Sequence, residues 1–522
     1  MLKKEENAGG GDFAAAEEKF TEAEKRFERS RRTIGIFAGP VIAVIIFFLP
    51  LRGLSREAHT LAAIISWVVT WWVSEAIPIP ATAVLGAALC IVSGVADART
   101  VFAPFADPII FLFMGSFLLA RAMSVHELDR RFAYALLSLR LIGNSAGRIL
   151  FVYGAVCALL SMWISNTATT AMMFPIGIGI ISALAEMMAR QTGQEVHVES
   201  LRFTTGMMLM AAYASSTGGI GTPVGTPPNL IGLAMIEKFT QVKIPFFRWM
   251  MFAVPLLVIT YLVLFSIMVR LHKPEVRRIQ GSREFVQCER ARLGPWTRGQ
   301  KNTLVAFLVA VVLWIMPGFL TLISGQDSPL TRGYSSRVPE AVAAVLAALL
   351  LFIFPINWKK RKFTLTWRQA LQIDWGTLLL FGGGLSLGDL MFRTGLAETL
   401  GKGLLDLCGA TSLWGLTLVG IFLATFVSEI TSNTAVATMV VPIMISVSLA
   451  GGLNPIPPAI GATIGASYAF MLPVSTPPNA IVYGSGLVPI TRMIRAGALL
   501  NIAGGLVIWA SLRILLPFVG LA

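Results

Sequence analysis

The sequence predicts an all-α integral membrane protein built from two repeats of inverted topology. Hydrophobic residues make up 55% of the 522 residues, only 13% are charged, and the mean hydropathy is +0.73. A soluble domain of this length would need far more charge. The apolar residues come in many long segments, which favours helices over the alternating strands of a β-barrel. The third observation is a polar signature that occurs once in each half.

The signature is Ser-Asn-Thr, preceded four residues earlier by a serine and followed downstream by Thr-Pro-Pro-Asn. Its copies occupy residues 165–167 with 226–229, and residues 432–434 with 476–479. Polar, helix-breaking sequence at membrane depth is tolerated only where it is buried in protein or lines a cavity. Two such interruptions in a duplicated chain point to the central binding site of a transporter.

The chain begins with a polar segment, residues 1–32, which we expect to be cytoplasmic. Phe13, Phe20 and Phe27 recur there at seven-residue spacing, which indicates a short amphipathic helix. An amphipathic piece at residues 127–142 is expected to lie at the membrane interface. About eleven transmembrane helices are predicted, near residues 33–50, 59–78, 80–97, 107–124, 203–239, 246–271, 302–323, 338–355, 375–392, 457–487 and 493–517.

Two further segments are predicted to be re-entrant helix hairpins. Residues 147–188 and 411–450 each contain two apolar helices that are broken at Ser-Asn-Thr. Each hairpin is followed by a span that Thr-Pro-Pro-Asn interrupts, at 203–239 and at 457–487. Proline removes a backbone N–H and breaks the helix, so the carbonyl groups that it frees need other partners.

Loop charges predict the orientation. Three arginines within residues 29–32 precede the first span and place the N-terminus in the cytoplasm. If each hairpin enters and leaves by one face, the basic loop 272–301 and the basic segment 358–362 are also cytoplasmic. The first hairpin then opens to the cytoplasm, the second opens to the outside, and the C-terminus is external. The two repeat regions, 33–271 and 302–522, are therefore inverted, the arrangement that yields alternating access.

Each Ser-Asn-Thr tip would offer two kinds of ligand. The helix that begins there presents free backbone N–H groups and the positive end of its dipole, which bind anions. The helix that ends there presents free carbonyl oxygens, which can coordinate a hard cation. Ser161 and Ser428, one turn earlier, could add hydroxyl oxygens. A single tip would be explained as an ordinary N-cap, but two matching copies favour one anion site flanked by two cation sites.

Charge is scarce around these signatures. Lys and Arg are absent from residues 149–189, 203–237 and 434–490. An anionic substrate would therefore be held by neutral donors and helix ends, while cations supply the positive charge. Glu429 is the acid nearest either signature, and Met162 occupies the matching position in the first copy. Glu429 could titrate a proton, orient a ligand or be a buried, hydrogen-bonded acid.

At this point the sequence resembles the divalent anion/sodium symporters, which carry di- and tricarboxylates or sulfate, and specifically a bacterial dicarboxylate-type member. The resemblance rests on both Ser-Asn-Thr signatures, both Pro-Pro-Asn segments, Trp71-Trp72 through Pro80, and Phe381-Gly382-Gly383-Gly384. It covers residues 33–517. It implies a homodimer in which a mobile transport region moves as an elevator against a scaffold region.

The resemblance also implies site residues. The first sodium site would involve Ser161, Ser165, Asn166 and Gly225, and the second Ser428, Ser432, Asn433 and Ser475. The substrate carboxylates would meet Asn166, Thr167, Asn433 and Thr434, with Thr226, Pro227, Thr476 and Pro477 lining the pocket.

The leading hypothesis is sodium-coupled import of a C4-dicarboxylate (succinate, malate or fumarate) across the inner cell membrane, with sodium as coupling ion and no other cofactor. A sodium-independent dicarboxylate exchanger and a citrate or sulfate symporter are the alternatives. A channel is disfavoured because channels use symmetric pores. An enzyme is disfavoured because the sequence places no His, Lys or Asp beside Ser165 or Ser432 to activate either. The net charge of +14 reflects loop bases and does not indicate nucleic-acid binding.

Overall fold

The computed structural model describes residues 22–51, 53–139, 144–194, 196–279, 281–325, 328–408 and 412–522. Within these ranges the chain is helical, apart from its connections and one two-stranded ribbon. The predicted all-helical membrane fold is thereby confirmed. Phe13 and Phe20 of the expected amphipathic N-terminal helix lie outside the described residues. The part of residues 1–32 that is described is continuous with the first span, because one helix runs over Glu22–Phe48.

The helices up to the basic loop are Glu22–Phe48, Arg56–Ser74, Ile79–Val92, Ala98–Phe102, Pro108–Val125, Leu128–Leu137, Ala146–Ser161, Asn166–Thr192, Arg202–Gly219, Pro227–Thr240 and Phe246–Leu271. The later helices are Ser282–Arg292, Arg298–Ser324, Pro329–Arg337, Glu340–Ile353, Trp367–Ala370, Trp375–Arg393, Leu396–Cys408, Leu413–Ser428, Asn433–Ala450, Ile456–Gly465, Pro477–Tyr483 and Ile490–Phe518. Short 3-10 helices cover Ala103–Ala106 and Val198–Ser200, and strands Pro355–Asn357 and Lys362–Phe363 pair antiparallel.

Eight helices of the described chain are long and apolar enough to cross a membrane, and a bent pair formed by Pro329–Arg337 and Glu340–Ile353 raises the number to nine. Six of the eight coincide with predicted spans, and two are the second arms of the predicted hairpins. The other predicted spans occur as shorter, less apolar or interrupted helices. The count of about eleven therefore stays a prediction.

The basic loop after residue 271 is partly helical, which sequence reasoning missed. Ser282–Arg292 forms a helix, and the ring of its Phe285 occupies the space that a side chain on Gly179 would need. The loop also bonds to the start of Ala146–Ser161, because Ala146 N donates to Arg277 O at 3.1 Å. The signal was weak because this helix is polar and contributes few buried side chains.

Four names are used below. The first hairpin is Ala146–Ser161 with Asn166–Thr192, and the second hairpin is Leu413–Ser428 with Asn433–Ala450. The first broken pair is Arg202–Gly219 with Pro227–Thr240, and the second broken pair is Ile456–Gly465 with Pro477–Tyr483.

The two halves interlock at these four units. The second arm of the first hairpin packs on Pro477–Tyr483, and the second arm of the second hairpin packs on Pro227–Thr240. Tyr213 of the first broken pair donates from its hydroxyl to Phe470 O at 2.7 Å. Each hairpin therefore contacts the broken pair of the other half as well as its own.

Glycines allow close packing between helices. A side chain on Gly384 would clash with Thr438 of the second hairpin, and one on Gly383 would lie 3.0 Å from the Ala83 carbonyl oxygen. Gly115 of the earlier span lies as closely against the backbone of Ala344. Small residues at such contacts let membrane helices approach each other.

Candidate functional site

The first Ser-Asn-Thr tip forms the junction between the arms of the first hairpin. Ser165 is the N-cap of Asn166–Thr192, and its hydroxyl accepts from Ala168 N at 3.2 Å. Ser161 is fully buried and donates from Oγ to Asn166 Oδ1 at 2.7 Å. The structure thus brings Ser161 and Asn166 together and holds the Asn166 amide in one orientation.

The break in the first broken pair lies directly against this tip. A Cβ on Gly219 would be 2.5 Å from Asn166 Oδ1 and 3.2 Å from Thr226 Cβ. A Cβ on Gly225 would clash with Gly219 O and lie 3.0 Å from Met162 O. Two carbonyl oxygens therefore lie beside Gly225, and the Asn166 amide oxygen lies beside Gly219. These are the ligands that hard cations take in proteins.

The asparagine of each Thr-Pro-Pro-Asn segment closes its own helix break. Asn229 Nδ2 donates to Gly219 O at 3.0 Å and to Thr222 O at 2.8 Å. The same amide atom of Asn479 donates to Ala469 O at 3.2 Å and to Leu472 O at 3.0 Å. Sequence analysis found both asparagines in the motif but gave them no role. The unpaired carbonyls of a broken helix were the signal that could have assigned it.

The second tip is held differently from the first. Ser432 is the N-cap of Asn433–Ala450, but its side chain makes no capping hydrogen bond. Ser428 donates to Ala466 O at 2.9 Å instead of to the tip asparagine. Asn433 Oδ1 is buried and has no hydrogen-bond partner in the described part of the chain. A buried acceptor without a donor is costly, so this oxygen is suited to a cation or to water.

Glu429 holds the second break together. Its side chain is almost fully buried, with 4% exposed. The carboxylate accepts hydrogen bonds from Phe470 N at 2.8 Å, Met471 N at 2.9 Å, Leu472 N at 3.2 Å, Ser475 Oγ at 2.5 Å and Asn501 Nδ2 at 2.6 Å. Of the three roles that the sequence allowed, the geometry favours the buried, hydrogen-bonded acid. Sequence reasoning could nominate Glu429, but it could not supply these donors.

The remaining pocket residues lie where the post-break helices begin. Thr226 and Thr476 are the N-caps of Pro227–Thr240 and Pro477–Tyr483, and both are buried. Thr167 is partly buried and Thr434 is buried, and each is the second residue of the second arm of its hairpin. Among the described residues no hydrogen bond joins the first tip directly to the second. The second arm of each hairpin packs instead on the post-break helix of the other half.

The second tip also contacts the first two long helices, which sequence reasoning did not predict. Thr431 Oγ1 donates to Trp72 O at 2.8 Å, and Arg31 Nη1 donates to Ile430 O at 3.1 Å. Arg31 is paired with Glu75 at 3.3 Å. The described residues contain no group of three or more His, Cys, Asp and Glu side chains that could hold a metal ion.

A multi-pass helical membrane protein in which paired hairpins pack on paired broken helices belongs to the class of secondary transporters. Residues 30–516 match the family model described as the sodium:sulfate symporter transmembrane region. The chain belongs to this family.

Two relatives agree with that assignment, and one solved structure has a similar fold. The chain is 35% identical over 488 residues to the sodium-dependent dicarboxylate transporter SdcS of Staphylococcus saprophyticus, covering 93% of this chain and 91% of the relative. It is 33% identical over 493 residues to SdcS of Staphylococcus aureus, with the same shares. Its fold is similar to that of the YdaH transporter of Alcanivorax borkumensis, with a TM-score of 0.50, 13% identity, and coverage of 94% of this chain and 98% of the other.

Proposed function

We propose that the protein is a symporter that imports C4-dicarboxylates, such as succinate, malate and fumarate, together with sodium. The observation that carries the proposal is the pair of buried helix breaks, where acceptor oxygens and helix N-termini lie together without Lys or Arg. Bound cations would offset the charge of a dicarboxylate there, because Arg31, beside the second tip, is already paired with Glu75. The dicarboxylate transport named for the SdcS relatives supports the choice of substrate.

The proposed ion sites follow the two breaks. The first sodium ion would be held by Ser161, Ser165, Asn166 and Gly225, and the second by Ser428, Ser432, Asn433 and Ser475. The positions of Gly219 O and Met162 O beside Gly225, and of Asn166 Oδ1 beside Gly219, support the first site. The unpaired Asn433 Oδ1 supports the second.

The proposed substrate site lies between the tips. The carboxylates would accept hydrogen bonds at the beginnings of the two second arms, from Asn166, Thr167, Asn433 and Thr434. Thr226, Pro227, Thr476 and Pro477, at the starts of the post-break helices, would line the pocket. The free N–H groups and the dipole of a helix N-terminus favour a carboxylate at these positions.

Movement and assembly complete the proposal. The hairpins and broken pairs would move together as the transport region, against a scaffold that includes Glu22–Phe48 and Arg56–Ser74. The contacts of Thr431 and Arg31 across that boundary would be remade in each cycle. A homodimer is expected from the family resemblance.

The proposed orientation places the N-terminus in the cytoplasm and the C-terminus outside the inner cell membrane. The basic residues around Lys360 support this orientation, because they are expected on the cytoplasmic side. A single cysteine introduced at Lys360 should be protected from a membrane-impermeant thiol reagent in intact cells and should react after permeabilisation. Labelling in intact cells would contradict the proposed hairpins.

Uptake into proteoliposomes tests the function directly. Labelled succinate should accumulate with an inward sodium gradient and should not accumulate when choline replaces sodium. Asn166→Ala and Asn433→Ala should each abolish this uptake while the purified variants keep the wild-type elution profile in detergent. Sodium-independent uptake driven by internal succinate would favour the exchanger. Preference for labelled sulfate would favour the second candidate, which the family description supports.

A further inference from the structure

An open groove with exposed apolar residues runs between two spanning helices, away from the helix breaks. Phe246–Leu271 and Ile490–Phe518 pack against each other there. The groove has a volume of about 390 Å³ and is lined by Ile259, Leu262, Val263, Ser266, Ile267, Arg270 and Ala503. Five of the seven lining residues are apolar. The Ser266 hydroxyl is already hydrogen-bonded, because it donates to Leu262 O at 2.7 Å. The short side chain of Ala503 leaves the groove open on the side of the second helix.

The length of the groove matches one leaflet of a bilayer. Eleven residues separate Ile259 from Arg270, which at 1.5 Å per residue is about 16 Å along the helix axis. Half of a hydrocarbon core of about 30 Å is about 15 Å. Arg270, in the last turn of its helix, thus lies at the membrane boundary, while Ile259 lies near the midplane. A single acyl chain that enters at Arg270 would extend to the inner end of the groove.

Positive charge is concentrated at the boundary end. Arg270 is exposed and, among the described residues, has no ion pair or side-chain hydrogen bond. Arg495 is exposed on the neighbouring helix. Burial, and then the charges of Arg492 and Arg495, lower the pKa of His272 to about 4. Because His272 follows Arg270 by two residues, these arginines share one boundary. The nearby carboxylate of Glu275 already accepts hydrogen bonds from Arg202 N and Phe203 N, at the start of helix Arg202–Gly219.

We propose that this groove is a specific site for an anionic phospholipid, with one acyl chain along Ile259, Val263 and Ala503 and the phosphate at Arg270 and Arg495. Basic pockets between membrane helices at a membrane boundary recognise anionic head groups in this way. A zwitterionic lipid would fill the same apolar groove but would leave the arginines without a net negative partner. The site depends on embedding in a membrane and is independent of which anion is transported.

Delipidated full-length protein in detergent would be titrated with dioleoyl phosphatidylglycerol or dioleoyl phosphatidylcholine. Native mass spectrometry would count retained lipids, and thermal unfolding would report stabilisation. Phosphatidylglycerol should be retained about tenfold more strongly than phosphatidylcholine and should raise the unfolding midpoint. The double variant Arg270→Gln/Arg495→Gln should lose this preference. Ala503→Phe should reduce retention of both lipids, because the ring fills the groove.

Arg298→Gln is the matched control, since Arg298 is an exposed arginine at the start of another spanning helix. It should keep the phosphatidylglycerol preference. Equal loss in Arg298→Gln and in the double variant would show non-specific surface charge and overturn the proposal. So would equal stabilisation by inorganic phosphate, or a change of oligomeric state in Ala503→Phe, which would identify the groove as a contact between two copies. The double variant decides the question if Ala503→Phe does not fold.

Discussion

In the first half of the transporter Asn229 bonds to two carbonyl oxygens across the helix break, and in the second half Asn479 does the same. The donor and both acceptors of the second half each lie 250 residues after their counterparts in the first half, since 479 − 229, 469 − 219 and 472 − 222 all equal 250. Both amides satisfy carbonyls that a proline-broken helix leaves unpaired. The two halves therefore close their helix breaks in the same way.

The surroundings of the two breaks differ in charge. Beside the first break Thr222 Oγ1 donates to the main-chain oxygen of Met162, and Gly225 leaves room for backbone oxygens. Beside the second break the carboxylate of Glu429 accepts three kinds of donor and Ser475 reaches both its side chain and its main chain. Only one of the two proposed cation sites thus has a buried acid next to it. The two breaks are closed by matching asparagine bonds but differ in the charge beside them.

The largest expected effect is at Glu429. Glu429→Gln replaces an acceptor oxygen with a donor NH₂ that would face backbone N–H groups, and leaves buried donors unpaired at about 1–3 kcal/mol each. We expect sodium-driven succinate uptake to be lost and the unfolding midpoint in detergent to fall by several degrees. Uptake would be measured in proteoliposomes and unfolding by the loss of monodisperse protein on heating.

The matched control is Met162→Leu, at the corresponding position of the first half. Its side chain makes no hydrogen bond that the variant would remove, and the bond from Thr222 goes to the main chain. Volume-conserving apolar exchanges usually cost less than about 1.5 kcal/mol. Wild-type uptake and stability in Glu429→Gln, or equal losses in both variants, would mean that the two breaks are not electrostatically different.

A smaller and equal effect is expected at the two closing asparagines. Asn229→Ala and Asn479→Ala each remove two hydrogen bonds to backbone carbonyls, so each should destabilise the protein by about 2 kcal/mol. The two variants should show similar falls in unfolding midpoint, measured in the same detergent. Asn454→Ala, which removes one bond to Ile456 N at the start of the neighbouring helix, is the control. Clearly unequal effects would break the equivalence that the offset of 250 suggests.

The sequence predicted the positions of these breaks because proline and the Ser-Asn-Thr tips interrupt otherwise apolar segments. Predicted hairpin limits of 147–188 and 411–450 compare with helices that span Ala146–Thr192 and Leu413–Ala450. These features depend on local chain chemistry, which the sequence displays directly.

Long-range contacts could not be predicted in the same way. Nothing local in the sequence pairs Glu429 with Asn501, 72 residues later, or Arg31 with Ile430. The sequence also could not show that Ser428 donates to Ala466 O and not to the asparagine of its own tip, because Ser161 and Ser428 occupy identical positions in the motif. The two breaks therefore share the hydrogen bonds of their closing asparagines and differ in those of Ser161, Ser428 and Glu429.

The smallest expected difference follows from those two serines. Ser161 donates to Asn166 Oδ1, a proposed ligand of both sodium and substrate, whereas Ser428 donates to the main-chain oxygen of Ala466, which is not among the proposed ligands. A hydrogen bond contributes about 1 kcal/mol net, equivalent to about fivefold in an equilibrium constant. We expect Ser161→Ala to raise the sodium concentration for half-maximal uptake about fivefold, and Ser428→Ala to raise it less. At saturating sodium both should bind succinate almost normally, because a lost hydroxyl ligand acts first on the cation. Ser161→Thr, which keeps the hydroxyl, should recover much of the sodium affinity if its methyl group fits. A larger effect of Ser428→Ala would place the more demanding cation site beside Glu429, where the buried carboxylate attracts sodium and the serine hydroxyl positions it.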